Sequence, residues 1–362
     1  MRQPVVIQLK FKRGYDFDIL APMLESYTRG YNLNMDKSHV LDFPQDFRNN
    51  LYGAFGRAVT DNWLARLPRL LAEAASRWDL EPGAPVDGLS YNYVCTADLL
   101  PSPRMGRRDG DEGILKIGIP NRELTSEIEC LKAWNGLPHH PSVRLIESDS
   151  ANGLLLLERL RPGETLATLP DDDRATQIAA DVMSRLWISA PAEHNFITLK
   201  SWFDGLAGLR PRFGGGTGPF PTRLVETVEG LIRELFAEDE TWLIHGDCHH
   251  YNILSHGDEW RVIDPKGVVG AREYEVAPFM LNPVYQPRPN IKRETVRRLD
   301  IFSERLGLDR QRLWAWTVAH SVLSAWWDVQ EDGTGGEQAI ACGETFLDLE
   351  TPKGCYKIHR SG

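Results

Sequence analysis

The spacing of apolar residues along the chain changes period several times, and each change predicts an element. Over residues 44–78, Leu64, Leu67, Leu71, Ala74, Ala75 and Trp78 recur three and four apart, the mark of a helix with one apolar face. Pro68 is expected to kink or divide it, and Pro82-Gly83-Ala84-Pro85 to break the pattern. The period then drops to two. Residues 89–96 read as a strand and 113–119 as its partner, joined by a polar loop with Arg104, Arg107 and Arg108. Alternation sets Leu115, Ile117 and Ile119 on one face of the second strand and Lys116 on the other.

A helix over 121–135 follows, with Asn121 as its cap and Gly136 as its stop. Leu124, Ile128, Leu131 and Trp134 form its inner stripe; Glu127 lies on the inward edge, and Glu129 is turned about 200° away. Residues 143–147 and 153–157 are two more strands. The nearly continuous apolar run 154–160 ends in Arg161-Pro162-Gly163, the pattern of a buried strand leading into a hinge between lobes. Beyond it the chain is mostly helical. Asp171-Asp172-Asp173 start a helix with Ile178, Val182 and Leu186 inward, and the acids complement the helix N-terminus without needing another role. The glycines of 213–219 make a loop but not a phosphate loop, since no Gly-Lys-Ser/Thr follows. Leu224, Val228, Leu231 and Leu235 mark a helix, and others are expected over 291–306, 309–330 and 335–349.

With 362 residues, two domains or two lobes are expected. The net charge of −10 disfavours nucleic acid as a partner; it suits a cationic small substrate, although solubility alone accounts for most of it. The five cysteines (Cys95, Cys130, Cys248, Cys342, Cys355) are scattered without a Cys-x-x-Cys, which fits a reducing cytoplasm. No apolar run approaches the ~20 residues of a membrane span, and 5–9 is too short for a signal sequence, so a cytoplasmic protein without membrane partners is expected. Residues 1–34 carry no usable motif and read as an N-terminal extension, with Met35 a possible alternative start.

The densest chemistry lies in 242–266. An apolar run ends in His245-Gly246-Asp247, Asn252 comes five residues later, and a short hairpin leads to Asp264. This puts an Asp, an Asn and an Asp near one rim. Phosphoryl transfer needs such a set: one carboxylate to orient the attacking hydroxyl, and an amide oxygen with a second carboxylate to hold magnesium. Asp and Asn are also common turn residues, so the context matters as much as the spacing. His245, His249 and His250 raise zinc as an alternative, but no cysteine pair or His-Glu-x-x-His accompanies them. Lys116 is then either a residue of a wet strand face or the lysine that reaches a nucleotide's phosphates, with Glu127 as the acid able to hold it. No Gly-x-Gly-x-x-Gly joins the strands, so another loop must cover the phosphates. Acids toward the end of the 309–330 helix are unfavourable there. Asp328, Glu331 and Asp332, beside Trp314, Trp316, Trp326 and Trp327, are therefore candidates for a cation-binding rim, although aromatics at this spacing are most often core.

His-Gly-Asp-x-His-x-x-Asn-Ile-Leu followed by Val-Ile-Asp-Pro-Lys-Gly resembles the aminoglycoside phosphotransferase family, in its streptomycin 6-kinase and hydroxyurea phosphotransferase branch. The resemblance covers roughly residues 43–345. It implies an α+β, bilobal protein-kinase-like fold, with an antiparallel sheet in the small lobe and a mainly helical large lobe. The expected divisions are a nucleotide-binding lobe over 35–157, a hinge over 158–162 and a catalytic lobe over 163–362. It implies Asp247 as catalytic base, Asn252 and Asp264 as magnesium ligands, and His245 as a support of the loop. It also implies backbone groups from Glu158 to Leu160 at the nucleotide base, which leaves ATP and GTP unseparated. Glu275 stands where the broader family often has Asp, and a bracing role follows. Pro265-Lys266 replaces the glycine most members carry after the metal Asp; Lys266 then points to the cleft, toward substrate or phosphate. The reaction implied is ATP-dependent phosphorylation of a hydroxyl on a streptomycin-like aminoglycoside. The alternatives are a metabolic kinase for a sugar or other small hydroxyl compound, and a nucleotide-binding protein without catalysis.

Overall fold

The computed structural model describes residues 43–101, 111–237, 241–283, 290–332 and 334–349. The N-terminal extension, the arginine-bearing loop over 104–108, Cys355 and the side chains of Glu331 and Asp332 lie outside the described residues. Two helices stand where one was expected, α1 (Gln45–Phe55) and α2 (Arg57–Trp78). The break falls at Gly56, and Pro68 sits inside α2 without dividing it. Trp63, Leu64, Leu67, Leu70, Ala74 and Trp78 bury one face of α2, and that tertiary packing outweighs the backbone bond a proline removes.

The second correction concerns Pro82-Gly83-Ala84-Pro85. These residues belong to strand β1 (Leu80–Pro85), which pairs antiparallel with β2 (Asn92–Leu99) at the edge of a sheet. An edge strand needs donors on one side only, so prolines are tolerated there. The sheet continues through β3 (Asp111–Gly118), and after helix α3 (Arg122–Asn135) it is completed by β4 (Leu145–Asp149) and β5 (Leu154–Glu158). Its order is β1-β2-β3-β5-β4, every pair antiparallel. One face, with Cys95, Ala97, Leu115, Ile117 and Leu156, packs in one core with Phe47, Leu51, Trp63 and Leu67 of α1 and α2. The other, with Leu145, Leu155 and Leu157, joins Leu124, Ile128, Leu131 and Trp134 of α3 in a larger core. Lys116 pairs in register with Leu155 and shares this second face.

After Glu158 the chain leaves that sheet and enters a second one at β6 (Pro162–Thr165). Then come α4 (Asp172–Met183), β7 (Ile188–Ser189), β8 (Ile197–Thr198), α5 (Leu199–Asp204), α6 (Leu209–Arg212) and α7 (Thr222–Leu235). Strands β9 (Trp242–Ile244), β10 (Ile253–His256), β11 (Glu259–Val262) and β12 (Val268–Gly270) frame the candidate site. They form a three-stranded sheet β11-β10-β6 and a four-stranded sheet β7-β9-β12-β8. The chain continues through α8 (Val276–Leu281), α9 (Ile291–Leu306), α10 (Arg310–Asp332) and α11 (Glu337–Leu347). Trp314, Trp316, Trp326 and Trp327 of α10 are buried, and the indoles of Trp314 and Trp326 donate to Phe346 O and Gly205 O. Cys95, Cys130, Cys248 and Cys342 are buried, and none of the four is in a disulfide. Among the described residues, no helix is long and apolar enough to cross a membrane.

The acidic start of α4 does more than answer a helix dipole. Asp171 caps the helix by accepting from Arg174 N–H, but Asp172 takes Arg298 of α9 in a forked ion pair at 2.5 and 3.0 Å. Arg298 is 1% exposed, and it also donates to Phe279 O and Asn282 O, which fastens the loop after α8. Asp173 pairs with Arg297 in solvent. Asp172→Ala therefore leaves a guanidinium buried without its counter-charge and should cost about 3 kcal/mol in urea unfolding. Asp173→Ala should cost under about 1 kcal/mol. Equal costs would show that burial of Arg298 does not set the difference.

Candidate active site

Strand β9 ends at Ile244, and the next three residues are positioned by their backbone. The buried Glu275 carboxylate accepts from His245 N–H at 2.7 Å and from Gly246 N–H at 3.0 Å. Burial pushes the Glu275 carboxyl up to about 7 against those two bonds. Gly246 has φ 81°, and a Cβ there would lie 2.8 Å from Val268 Cγ2 and 3.2 Å from Trp202 Cη2, so only glycine fits. His245 Nδ1 accepts from Asp247 N–H at 3.2 Å, which leaves Nε2 to carry the proton and donate to Ile263 O at 2.8 Å. The ring thus ties the loop to the chain leaving β11, and burial holds its pKa down to about 4.

Asn252 is gripped on three sides. Its Nδ2 donates to Asp247 O at 2.9 Å, its N–H donates to His249 O at 2.9 Å, and its own carbonyl accepts from Ile263 N–H at 3.0 Å. The remaining atom, Oδ1, is buried and has no hydrogen-bond donor. A buried amide oxygen left so costs about 1–3 kcal/mol, and such an exception calls for a cation or other ligand to explain it. The turn after β11 brings Asp264 round with φ 57°, a left-handed conformation that Asp adopts more readily than most residues. Its Oδ1 lies 3.1 Å from Lys116 Nζ. Burial would raise the Asp264 carboxyl, but Lys116 and then Lys266 hold it below the usual carboxylate range.

Lys116 projects from β3 and is 3% exposed. Both oxygens of Glu127 accept from its Nζ, at 2.7 and 2.8 Å. Burial opposes the charge on Lys116, yet Asp264 and Glu127 outweigh it and its pKa is raised. Helix α3 also touches the segment after Asp264. Ser126 Oγ donates to Gly267 O at 2.7 Å, and Gly267, with φ 60°, approaches so closely that a Cβ would lie 2.6 Å from Ser126 O. Lys266 donates its N–H to His245 O at 2.8 Å, while its ammonium pairs with Glu123 in the first turn of α3.

Asp247 keeps a third of its side chain exposed, with His249 Nε2 3.6 Å from Oδ1. His249 Nδ1 accepts from Tyr251 N–H, and the His250 ring stacks on Phe279 with centroids 3.8 Å apart. The histidines of this loop therefore face different neighbours and share no centre. The Glu158 side chain is engaged within the fold: Oε1 accepts from Arg144 N–H at 2.7 Å and from Arg261 at 2.6 Å. Leu160 is buried between β5 and β6.

Two residues packed near this loop, Trp202 and Tyr274, had no signal in the sequence. Trp202, on the six-residue α5, sets its ring tip against Gly246 and meets Trp327 edge-on at 5.3 Å. Tyr274 shares a hydrogen bond of 2.8 Å with His320 Nδ1 and packs at 6.2 Å from Trp202. Asp328 follows Trp327 on α10 and is partly exposed. The arrangement can do three things chemically: accept a proton at Asp247, hold a hard cation between an amide oxygen and a carboxylate, and neutralise anionic oxygens with Lys116.

Residues 83–333 match the family model described as aminoglycoside/hydroxyurea antibiotic resistance kinase. A streptomycin 6-kinase of Streptomyces glaucescens is 32% identical over 305 residues, 83% of this chain and 94% of that one. A hydroxyurea phosphotransferase of Kitasatospora aureofaciens is 32% identical over 299 residues, 81% of this chain and 82% of that one. Among solved structures, a thermostable mutant of an aminoglycoside phosphotransferase, in ternary complex with ADP and hygromycin B, superposes with a TM-score of 0.51. At 13% identity it covers 77% of this chain and 97% of its own, which shows a shared protein-kinase-like fold.

The depressed pKa of His245 has a direct consequence for stability. Below the ordinary value of 6.5 the unfolded chain binds a proton at this ring that the fold refuses down to about 4, so stability is lost as pH falls through that window. The cost of His245→Gln in urea unfolding should therefore shrink by about 3 kcal/mol between pH 7 and pH 4. Glu275, raised to about 7, acts in the opposite sense over this range but is present in both proteins and cancels in the difference. A pH-independent cost would rule out a neutral buried ring.

Proposed function

The chain belongs to the aminoglycoside/hydroxyurea antibiotic resistance kinase family, and we propose that it transfers the γ-phosphoryl group of ATP to a hydroxyl of a streptomycin-like aminoglycoside. The observation that carries this reading is the donorless, buried Oδ1 of Asn252, fixed on the same loop as Asp247 and tied through Ile263 to the chain that bears Asp264. That oxygen and the Asp264 carboxylate are hard ligands suited to magnesium, which when bound would neutralise phosphate charge. Asp247 orients the acceptor hydroxyl and takes its proton as the oxygen bonds to phosphorus and ADP leaves. Lys116, held by Glu127, fixes the phosphates. The backbone from Glu158 to Leu160, at the hinge over 158–162, is assigned to the nucleotide base.

For the acceptor, streptomycin heads the candidates because the relative from Streptomyces glaucescens bears that name at 32% identity over most of both chains. Its guanidinium groups would find an aromatic wall in Trp202 and Trp327 and an acid in Asp328. Glu331 and Asp332, further along α10, remain candidates for the same rim. Four buried thiols without a disulfide suit a reducing cytoplasm.

The test is ADP release from magnesium-ATP across aminoglycosides and aminocyclitols. Turnover is expected on streptomycin, and Asp247→Asn should lower kcat by at least about 10²-fold while the nucleotide still binds. Silence across the panel with nucleotide bound would overturn the acceptor assignment and favour another small hydroxyl compound. Undiminished turnover in Asp247→Asn would remove Asp247 from the chemistry.

A further inference from the structure

We propose that Lys266 is a positioning residue whose ion pair with Glu123 fastens the segment following Asp264 to helix α3, so that the Lys116–Glu127 pair and the Asp264 carboxylate move as one body. The proposal relies on the kinase reading only for naming Asp264 a metal ligand; the coupling itself belongs to the free protein. Glu123 and Glu127 stand one turn apart on α3, a spacing that puts both on one face of the helix. Glu127 reaches back to Lys116 on β3, and Glu123 reaches across to Lys266, two residues past Asp264.

The attachment has further parts. Ser126 Oγ donates to Gly267 O at 2.7 Å, and Gly267 sits too close to α3 to carry a Cβ. On its other side the segment donates Lys266 N–H to His245 O at 2.8 Å, so it also holds the loop before Asp247. The side chains of Lys266 and Glu123 are only 13% and 19% exposed, which separates them from ordinary surface pairs of little worth. Charge points the same way. Glu123, Glu127 and Asp264 are three carboxylates answered by two ammonium groups, Lys116 and Lys266. Removing Lys266 would leave excess negative charge where phosphates must enter. Lys116 can also give up Asp264 to phosphate without freeing the segment, because Lys266 keeps it on α3. The contact with substrate or phosphate that the sequence suggested for Lys266 gives way to this internal one.

The experiment uses the full chain without ligand. Hydrogen exchange is followed over residues 122–135 and 264–270 in wild type, Lys266→Met, Glu123→Gln and the reciprocal swap Lys266→Glu with Glu123→Lys. Each single change should speed exchange in both segments together by about tenfold, and the swap should restore most of the protection. Faster exchange in one segment alone, no change, or a swap no better than the singles would overturn the coupling. In parallel, the Kd for magnesium with a non-hydrolysable ATP analogue should rise about tenfold in the singles and recover in the swap, with acceptor KM unchanged. An effect of Lys266→Met confined to acceptor KM would return Lys266 to the substrate and overturn the proposal. A wild-type chain that binds no nucleotide would count against the kinase reading, while the exchange result would still decide the coupling.

Discussion

Burying an ammonium group costs several kcal/mol unless carboxylates answer it, and Lys116 is 3% exposed. Three oxygens answer it here, two from Glu127 and one from Asp264. Those partners come from different parts of the chain, a helix that follows β3 directly and a turn 148 residues away. The charge on Lys116 is therefore sustainable only when the sheet, α3 and the Asp264 turn are assembled together. This makes the ion cluster a condition on the tertiary structure and not an ornament of it. It also means that the groups suited to nucleotide and metal are brought to one place by the same requirement.

The loop before Asp247 solves a different problem. Its residues cannot be positioned by side-chain packing alone, since Asp247 must keep part of its carboxylate in solvent. The structure fixes the backbone instead. Glu275 takes the amides of His245 and Gly246, His245 takes the amide of Asp247, and Asn252 takes its carbonyl. Both the N–H and the C=O of Asp247 are bonded, while the carboxylate itself stays accessible. The orphan Oδ1 of Asn252 is the counterpart: a buried acceptor that the fold leaves without a donor. Preorganisation of this kind lowers the reorganisation needed when charge develops.

Much of this was legible from local pattern, and the boundary of legibility is physical. The 3.6-residue stripe of α3 placed Glu127 inward and Glu129 outward, and alternation in β3 put Lys116 on the face opposite Leu115 and Ile117; these follow from element geometry alone. The helix over 291–306 was read from the sequence with the bounds the structure gives it. What escaped is long-range. Nothing in Pro162 to Thr165 announces a strand, because β6 exists only where β10 offers it a partner. β12 likewise exists through β9 and β8. Asp172 looked like a helix-start acid because Arg298 is 126 residues away. Pro68 was read by its local cost, whereas Trp63, Leu67 and Leu70 decide the outcome by burial. Glu123 and Lys266 are 143 residues apart, and no local pattern pairs them.

The same division separates the parts of the site by how freely they can vary. Lys116 and Glu127 join β3 to α3, Asp264 joins both to the turn after β11, and Asn252 ties its own loop to that turn, so a change at any of them loosens bonds between separate parts of the chain. The surface beside Asp247 is built otherwise. Trp202 comes from a six-residue helix, and Trp327 and Asp328 come from the far part of α10. Trp202 meets the loop at Gly246, whose missing side chain makes room for its ring, and Trp327 packs edge-on against Trp202. A bulkier or smaller residue at position 202 would reshape the space next to Asp247 without touching the bonds that hold Asp247 itself. Under the proposed function, the groups assigned to phosphate and metal are held by ion pairs and backbone bonds, and the aromatic wall assigned to the acceptor is carried on α5 and α10. On that proposal, acceptor choice would change at Trp202, Trp327 and Asp328 with the bonds that hold Asp247 and Asn252 left intact, which fits relatives named for acceptors as different in size as streptomycin and hydroxyurea.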